Sequence, residues 1–212
     1  MNRALEALLE KYPDIASCQD DIVAAYDIMR ESYENGGKAL FCGNGGSASD
    51  SEHIVGELMK GFMSRRPVPD EERARWIEAY GDEEGRYIAD HLQGGLPAIS
   101  LVSHTALLTA FINDVAADMM FAQQVYGYGK PGDVLVGLST SGNSANVMRA
   151  VQVAKLRGLK TIGLTGRTGG KMAEACDVTI RVPKDSTPDI QERHLPIYHA
   201  ICIMLEEEFF GK

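Results

Sequence analysis

The chain has 212 residues, 44% of them hydrophobic and 24% charged, with 30 acidic against 21 basic side chains and a formal net charge of −9. This length suits one sizeable domain, and the composition excludes a disordered, collagen-like or disulfide-stapled chain. The acidic balance argues against a nucleic-acid partner, and no apolar run approaches the roughly 20 residues that span a bilayer.

Two helices are expected at the start, over 2–11 and 17–34, with a break at Tyr12-Pro13-Asp14 and a stop at Gly36-Gly37. The first 14 residues carry charges throughout and no apolar core, so no signal peptide is read there and a cytoplasmic location is expected. A short buried strand follows over 38–42, then the tight turn Gly43-Asn44-Gly45-Gly46 and a helix over 47–59. The stretch from about 67 to 95 breaks the rhythm. It is charged, holds the only tryptophan, Trp76, and suggests short helices over 71–80 and 83–92. A connection this long is an elaborated feature, and a subunit contact and a lid are both open readings.

Further strands are expected over 96–102, 133–138, 161–164 and 178–182, with helical segments around 105–112, 117–127 and from 144 to about 157. A long helix over 188–210 closes the chain, with Thr187 as N-cap, Pro188 at the first helical position and Pro196 as a kink. Strands alternating with helices predict parallel pairing. The expected fold is therefore α/β: one domain over 1–212, built as a three-layer sandwich with a five-stranded parallel sheet. Cys18, Cys42, Cys176 and Cys202 lie far apart with no CxxC pair, and read as buried free thiols of a reducing compartment.

In open parallel sheets, ligands bind beyond the carboxyl ends of strands where strand order reverses. Two such ends carry small-residue loops that open helices. Asn44, Gly45, Gly46 and Ser47 form one; Ser139, Thr140, Ser141 and Ser144 supply four hydroxyls in the other. Flexible backbone, helix N-termini and hydroxyl donors together suit a phosphate. Neither loop matches a nucleotide-binding fingerprint. His53 and Glu57 follow at i, i+4, on one helix face, where imidazole and carboxylate can share a metal ion or a substrate. Gln191 and His199 stand about 80° apart in azimuth and roughly 12 Å apart along the last helix. They reach one small site only with extended side chains, a bent helix or a contribution from a neighbouring subunit. His194 is read as structural or surface.

The segments FCGNGGSASDSEHIVGEL, LVGLSTSGNSANVMRAV, LTGRTGGKMAE and DIQERHLPIYH resemble, in order, the sugar isomerase (SIS) domain family, in its phosphoheptose isomerase branch. The likeness covers nearly the whole chain outside the 67–95 stretch. It implies a flavodoxin-like sheet and conversion of sedoheptulose 7-phosphate to D-glycero-D-manno-heptose 7-phosphate, an early step toward bacterial surface heptoses. It also implies a homotetramer with sites at subunit interfaces and one zinc ion per subunit.

Carried over by motif, the resemblance makes His53, Glu57, Gln191 and His199 the metal set and Glu57 with His199 the acid/base pair. Asn44, Gly45, Gly46, Ser47, Asn113, Asp114, Ser139, Thr140, Ser141, Ser144 and Gln191 become substrate contacts. A non-catalytic branch, the replication-initiator (DnaA) associating proteins, lacks the carboxylate and imidazole at the positions of Glu57 and His199. Pro188-Asp189 departs from the residues usual before the Ile-Gln pair. A regulatory sugar-phosphate-binding module, and an isomerase of another sugar phosphate, remain alternatives. One tension stands: a carboxylate bound to a metal is a weaker base.

Overall fold

The computed structural model describes residues 2–211. Helix α1 (Arg3–Lys11) is capped by the Asn2 side chain, which accepts from the Ala4 N–H at 2.8 Å. Pro13 opens a 3₁₀ turn through Cys18, so the second helix α2 (Gln19–Glu34) starts two residues later than the spacing suggests. Strand β1 (Ala39–Gly43) leads into α3 (Gly46–Met59). The 67–95 stretch folds as α4 (Asp70–Tyr80) and α5 (Asp82–His91), two helices packed on each other. An antiparallel bridge between Pro67 and Gln93 closes their base.

Next come β2 (Ala98–Ser100), α6 (Thr105–Asp114), a 3₁₀ turn over Ala117–Met119 and α7 (Met120–Tyr128). Then follow β3 (Val134–Leu138), α8 (Ala145–Leu156), β4 (Lys160–Thr165), a one-turn α9 (Met172–Ala175) that the sequence did not announce, and β5 (Val178–Arg181). The last helix, α10 (Thr187–Phe210), is assigned without a break through Pro196. Its N-cap is Ser186, one residue before the expected Thr187: Ser186 accepts from the Asp189 N–H at 3.4 Å and donates to the Asp189 carboxylate at 2.6 Å. That reciprocal spacing of three is available to Ser186 and not to Thr187, whose partner position holds Ile190.

The sheet order is β2-β1-β3-β4-β5, and all four pairings are parallel. Both faces are buried, so each strand feeds two cores in alternation. Ala39, Phe41, Val134, Val136, Ile162 and Leu164 face the core built with α1, α2, α3 and α10. Leu40, Cys42 and Leu135 face the one built with α7 and α8. The three-layer α/β expectation holds. The four cysteines are buried and free.

From β1 the chain crosses to β2 on one side, and from β3 it crosses to β4 on the other. The order therefore reverses between β1 and β3, and the helices that follow these two strands pack on opposite faces. The N-termini of α3 and α8 meet above that point.

Candidate active site

The two loops are joined across the crevice by a pair of amides. Asn44 donates to Asn146 Oδ1 at 2.9 Å and Asn146 donates back to Asn44 Oδ1 at 2.8 Å. Asn146 was missed at the sequence level because nothing in its own segment marks it. Neither N-cap residue, Gly45 (φ +57°) before α3 or Ser144 before α8, caps its helix with a side chain, although Asn146 Oδ1 accepts from the Val147 N–H in the first turn of α8. Such N-termini leave N–H donors and positive dipole ends directed at the crevice. In the second loop, Ser139 and Ser144 share a hydroxyl hydrogen bond at 2.9 Å, and Ser141 Oγ accepts from the Asn143 N–H at 3.2 Å. Thr140 is half-buried beside them, and its carbonyl accepts from the Gly166 N–H. Ser47 is buried under the first loop, with its carbonyl taken by Ser51 Oγ, so its side chain does not line the open crevice.

Glu57 and His199 meet at His53. The His53 Nε2 lies 3.1 Å from Glu57 Oε1 and 3.5 Å from His199 Nε2. On the other side of the ring, Nδ1 lies 3.0 Å from the Tyr198 hydroxyl, which donates to Asp50 at 3.1 Å. Because the phenol proton goes to a carboxylate, its oxygen accepts from Nδ1–H, and the His53 lone pair is left on Nε2. The His53 Nε2 lone pair and Glu57 Oε1 then face each other with His199 Nε2 alongside, an arrangement that a cation or a shared proton would stabilise. Asp50 sits one turn before His53, at i−3, a spacing from which it is legible in the sequence; Tyr198 gave no such signal.

Burial and the neighbouring His53 hold the His199 pKa below the ordinary imidazole value, against the pull of Glu57. Burial also raises the Asp50 carboxyl, opposed by its bond from Tyr198. Phe62 walls the site, its ring 5.3 Å from that of His199. An apolar groove of about 580 Å³ between α1 and α10, lined by Tyr12, Leu195, Pro196 and Ile203, opens at His199.

Ligands about 2.1 Å from a tetrahedral zinc stand about 3.4 Å from one another. The 3.1 and 3.5 Å separations around His53 Nε2 fit that edge, and imidazole and carboxylate donors fit the ion. The contacts form a chain through His53 rather than a closed ring, and no group of three His, Cys, Asp or Glu among the described residues makes a finished cage. Gln191 is elsewhere: its side chain lies against Gly46, where an added Cβ would come within 2.5 Å of Nε2. A side chain at position 46 would have to displace the end of the Gln191 side chain. Gln191 thus joins the first loop, as its axial offset from His199 implies. Asn113 and Asp114 fall in the last turn of α6, exposed and bonded to each other at 2.8 Å, and no hydrogen bond joins them to either loop. His194 is fully buried, donating through Nε2 to the Thr165 carbonyl at 3.3 Å, a structural position.

The SIS domain model matches residues 3–89 and 88–166. The phosphoheptose isomerase of Rhodospirillum rubrum is 42% identical over 193 residues, covering 91% of this chain and 88% of that one. That of Akkermansia muciniphila is 36% identical over 204 residues, covering 96% and 94%. Among solved structures, the phosphoheptose isomerase of Neisseria gonorrhoeae superposes with a TM-score of 0.71 at 34% identity, covering 95% of this chain and 98% of that chain. The enzyme from Francisella tularensis gives 0.76 at 30%, covering 95% and 94%. The domain match and relatives of this similarity along nearly the full length place the chain in the SIS domain family, among the phosphoheptose isomerases.

Proposed function

We propose that the chain isomerises a phosphorylated ketose and aldose, sedoheptulose 7-phosphate and D-glycero-D-manno-heptose 7-phosphate. The observation that carries the residue roles is the meeting of Glu57 and His199 at one nitrogen of His53. Separation of the two would have favoured a binding module without turnover. The Ser139–Ser144 loop and the α8 N-terminus receive the phosphate through N–H and hydroxyl donors. The Asn44–Asn146 pair holds the two loops at fixed separation. Anchoring the phosphate fixes the reacting carbons against the proton-transfer groups, so remote binding energy supports the chemical step.

Moving a proton between C1 and C2 passes through an enediol, and takes a base on one face and an acid near the carbonyl oxygen. Glu57 and His199 share these roles. His199, uncharged at neutral pH, is able to accept a proton and return it. His53, Glu57 and His199 would hold a zinc ion, while Gln191, the fourth ligand that the family resemblance implies, lies against Gly46 in the first loop. When bound, zinc supplies polarisation of the carbonyl or enediolate oxygen.

Assembly into a homotetramer belongs to the same proposal. The α6 sequence is apolar, yet no residue of that helix is buried, and Leu107, Ile112 and Val115 (just past its end) are 39%, 43% and 65% exposed. A second copy of the chain covering them would also give Asn113 and Asp114 a partner site to face. No helix among the described residues is long and apolar enough to cross a membrane, and with four free buried thiols a cytoplasmic location is proposed.

The test is isomerisation of sedoheptulose 7-phosphate in D₂O, followed by NMR, for wild type beside Glu57→Gln. Solvent deuterium at C2 of the product, lost in the variant, is expected. No turnover and no exchange by metal-loaded wild type would remove this substrate.

A further inference from the structure

A fully buried ion pair stands directly behind the site. Arg66 and Glu206 are 1% and 2% exposed, and Arg66 Nε donates to Glu206 Oε1 at 2.8 Å. The other two guanidinium nitrogens close the end of α3: Nη1 donates to the Leu58 carbonyl at 2.7 Å and Nη2 to that of Glu57 at 3.0 Å. These last-turn carbonyls have no partner within the helix, so Arg66 serves as the C-terminal cap of the element that carries Glu57. The face of the guanidinium lies 4.7 Å from the Phe210 ring.

Glu206 gathers the next segment. Its carboxylate accepts from the N–H groups of Phe62, Met63 and Ser64 at 2.8, 2.8 and 3.1 Å. Burial pushes the Glu206 carboxyl up, but these bonds and Arg66 outweigh it and leave it below the ordinary glutamate value. The first of the three donors belongs to Phe62, whose ring packs against His199. Glu206 also lies seven residues beyond His199 on α10, on the same face and roughly 10.5 Å along the axis. One ion pair therefore grips the main chain of Glu57, the ring wall of His199 and the helix that bears His199.

Stability alone is a weak reason for such a pair, since apolar residues of similar volume often hold a core as well. What an apolar pair lacks is direction, and here five hydrogen bonds from the pair point to two elements of the site. We propose that Arg66 and Glu206 are positioning residues for the isomerisation, a buried brace that sets the Glu57 carboxylate against the His199 imidazole. This rests on the isomerase reading above.

The experiment compares wild type with Arg66→Lys, Glu206→Gln and the double variant Arg66→Met/Glu206→Gln, each first checked for cooperative unfolding. The double variant removes both charges but keeps an amide oxygen for the 62–64 N–H groups, so it stays testable if a single variant fails to fold. The expected result is a fall in kcat on the order of 10- to 100-fold with KM within about twofold, because sub-ångström to ångström misplacement acts on the chemical step. Affinity for inorganic phosphate, measured by calorimetry, stays at the wild-type value. Affinity for a phosphorylated hydroxamate, a mimic of the enediolate, falls in step with kcat. Arg66→Lys keeps the charge and recovers part of the loss.

Wild-type kcat and hydroxamate affinity in a folded double variant would overturn the brace. Equal losses of phosphate and hydroxamate affinity would do so too, as a general loosening. Failure of the reading beneath it looks different: wild type itself then shows no turnover and no preference for the hydroxamate over phosphate.

Discussion

The crevice above β1 and β3 and the α4–α5 hairpin are opposite kinds of structure. The crevice draws on three distant stretches of chain, around residues 44–57, 139–146 and 191–199, and its helix ends lack a capping bond from their N-cap side chains. The hairpin is local. Its ion pairs Arg75–Glu71, Arg86–Asp82 and Arg73–Asp90, each at 2.7 Å, lie within it. No residue of α4 is buried, and α5 buries only Gly85 and Ala89. The hairpin carries a concavity of about 630 Å³ along α4 beside Trp76 and Tyr80. Size does not locate chemistry here; unsatisfied donors and converging titratable groups do.

If that contrast holds, substitutions graded from crevice to hairpin should grade in effect. The largest belongs to Glu57→Gln and His199→Asn, expected to lower kcat by about 10²- to 10⁴-fold with the fold intact, as read by turnover and circular dichroism. Next, Arg66→Met leaves Glu206 a buried unpaired charge and should cost about 3–5 kcal/mol in urea unfolding. An unchanged midpoint would contradict its burial.

His194 gives a pH-dependent effect of intermediate size. Burial lowers its pKa from 6.5 to about 4, although the Thr165 carbonyl favours the charged form. Between these values the unfolded chain binds the proton and the folded one does not. Stability is therefore complete above pH 6.5 and declines as pH falls toward 4, by up to about 3 kcal/mol. His194→Gln should flatten that slope when unfolding is compared at pH 7 and pH 5. Ser144→Ala removes one donor from the proposed phosphate loop and should raise KM by roughly 10-fold with kcat little changed. The smallest effect falls on the hairpin: Arg75→Ala, breaking an exposed i, i+4 pair, should move stability by no more than about 0.5 kcal/mol.

Much of this was legible in the chain. The Gly-Asn-Gly-Gly and Ser-Thr-Ser-Gly-Asn-Ser loops mark both strand ends by composition alone, and His53 with Glu57 is an i, i+4 pair on one helix. The boundary errors have local causes. Pro13 favours a 3₁₀ turn before α2, and Ser186 outcompetes Thr187 because Asp189 lies three residues on. Ser47 reads as a loop hydroxyl by position, but helical geometry from Gly46 turns it under the loop.

Sequence by itself determined the alternation of strands and helices, the two loops and the residue types of the site, because periodicity and turn chemistry act over a few residues. Only the tertiary structure decided the meeting of His53 with Tyr198 and His199, across intervals of 145 and 146 residues. The same is true of the Asn44–Asn146 link and of the Arg66–Glu206 pair. Such contacts form when the sheet order reverses between β1 and β3 and α10 returns across α3, and no local preference encodes that return.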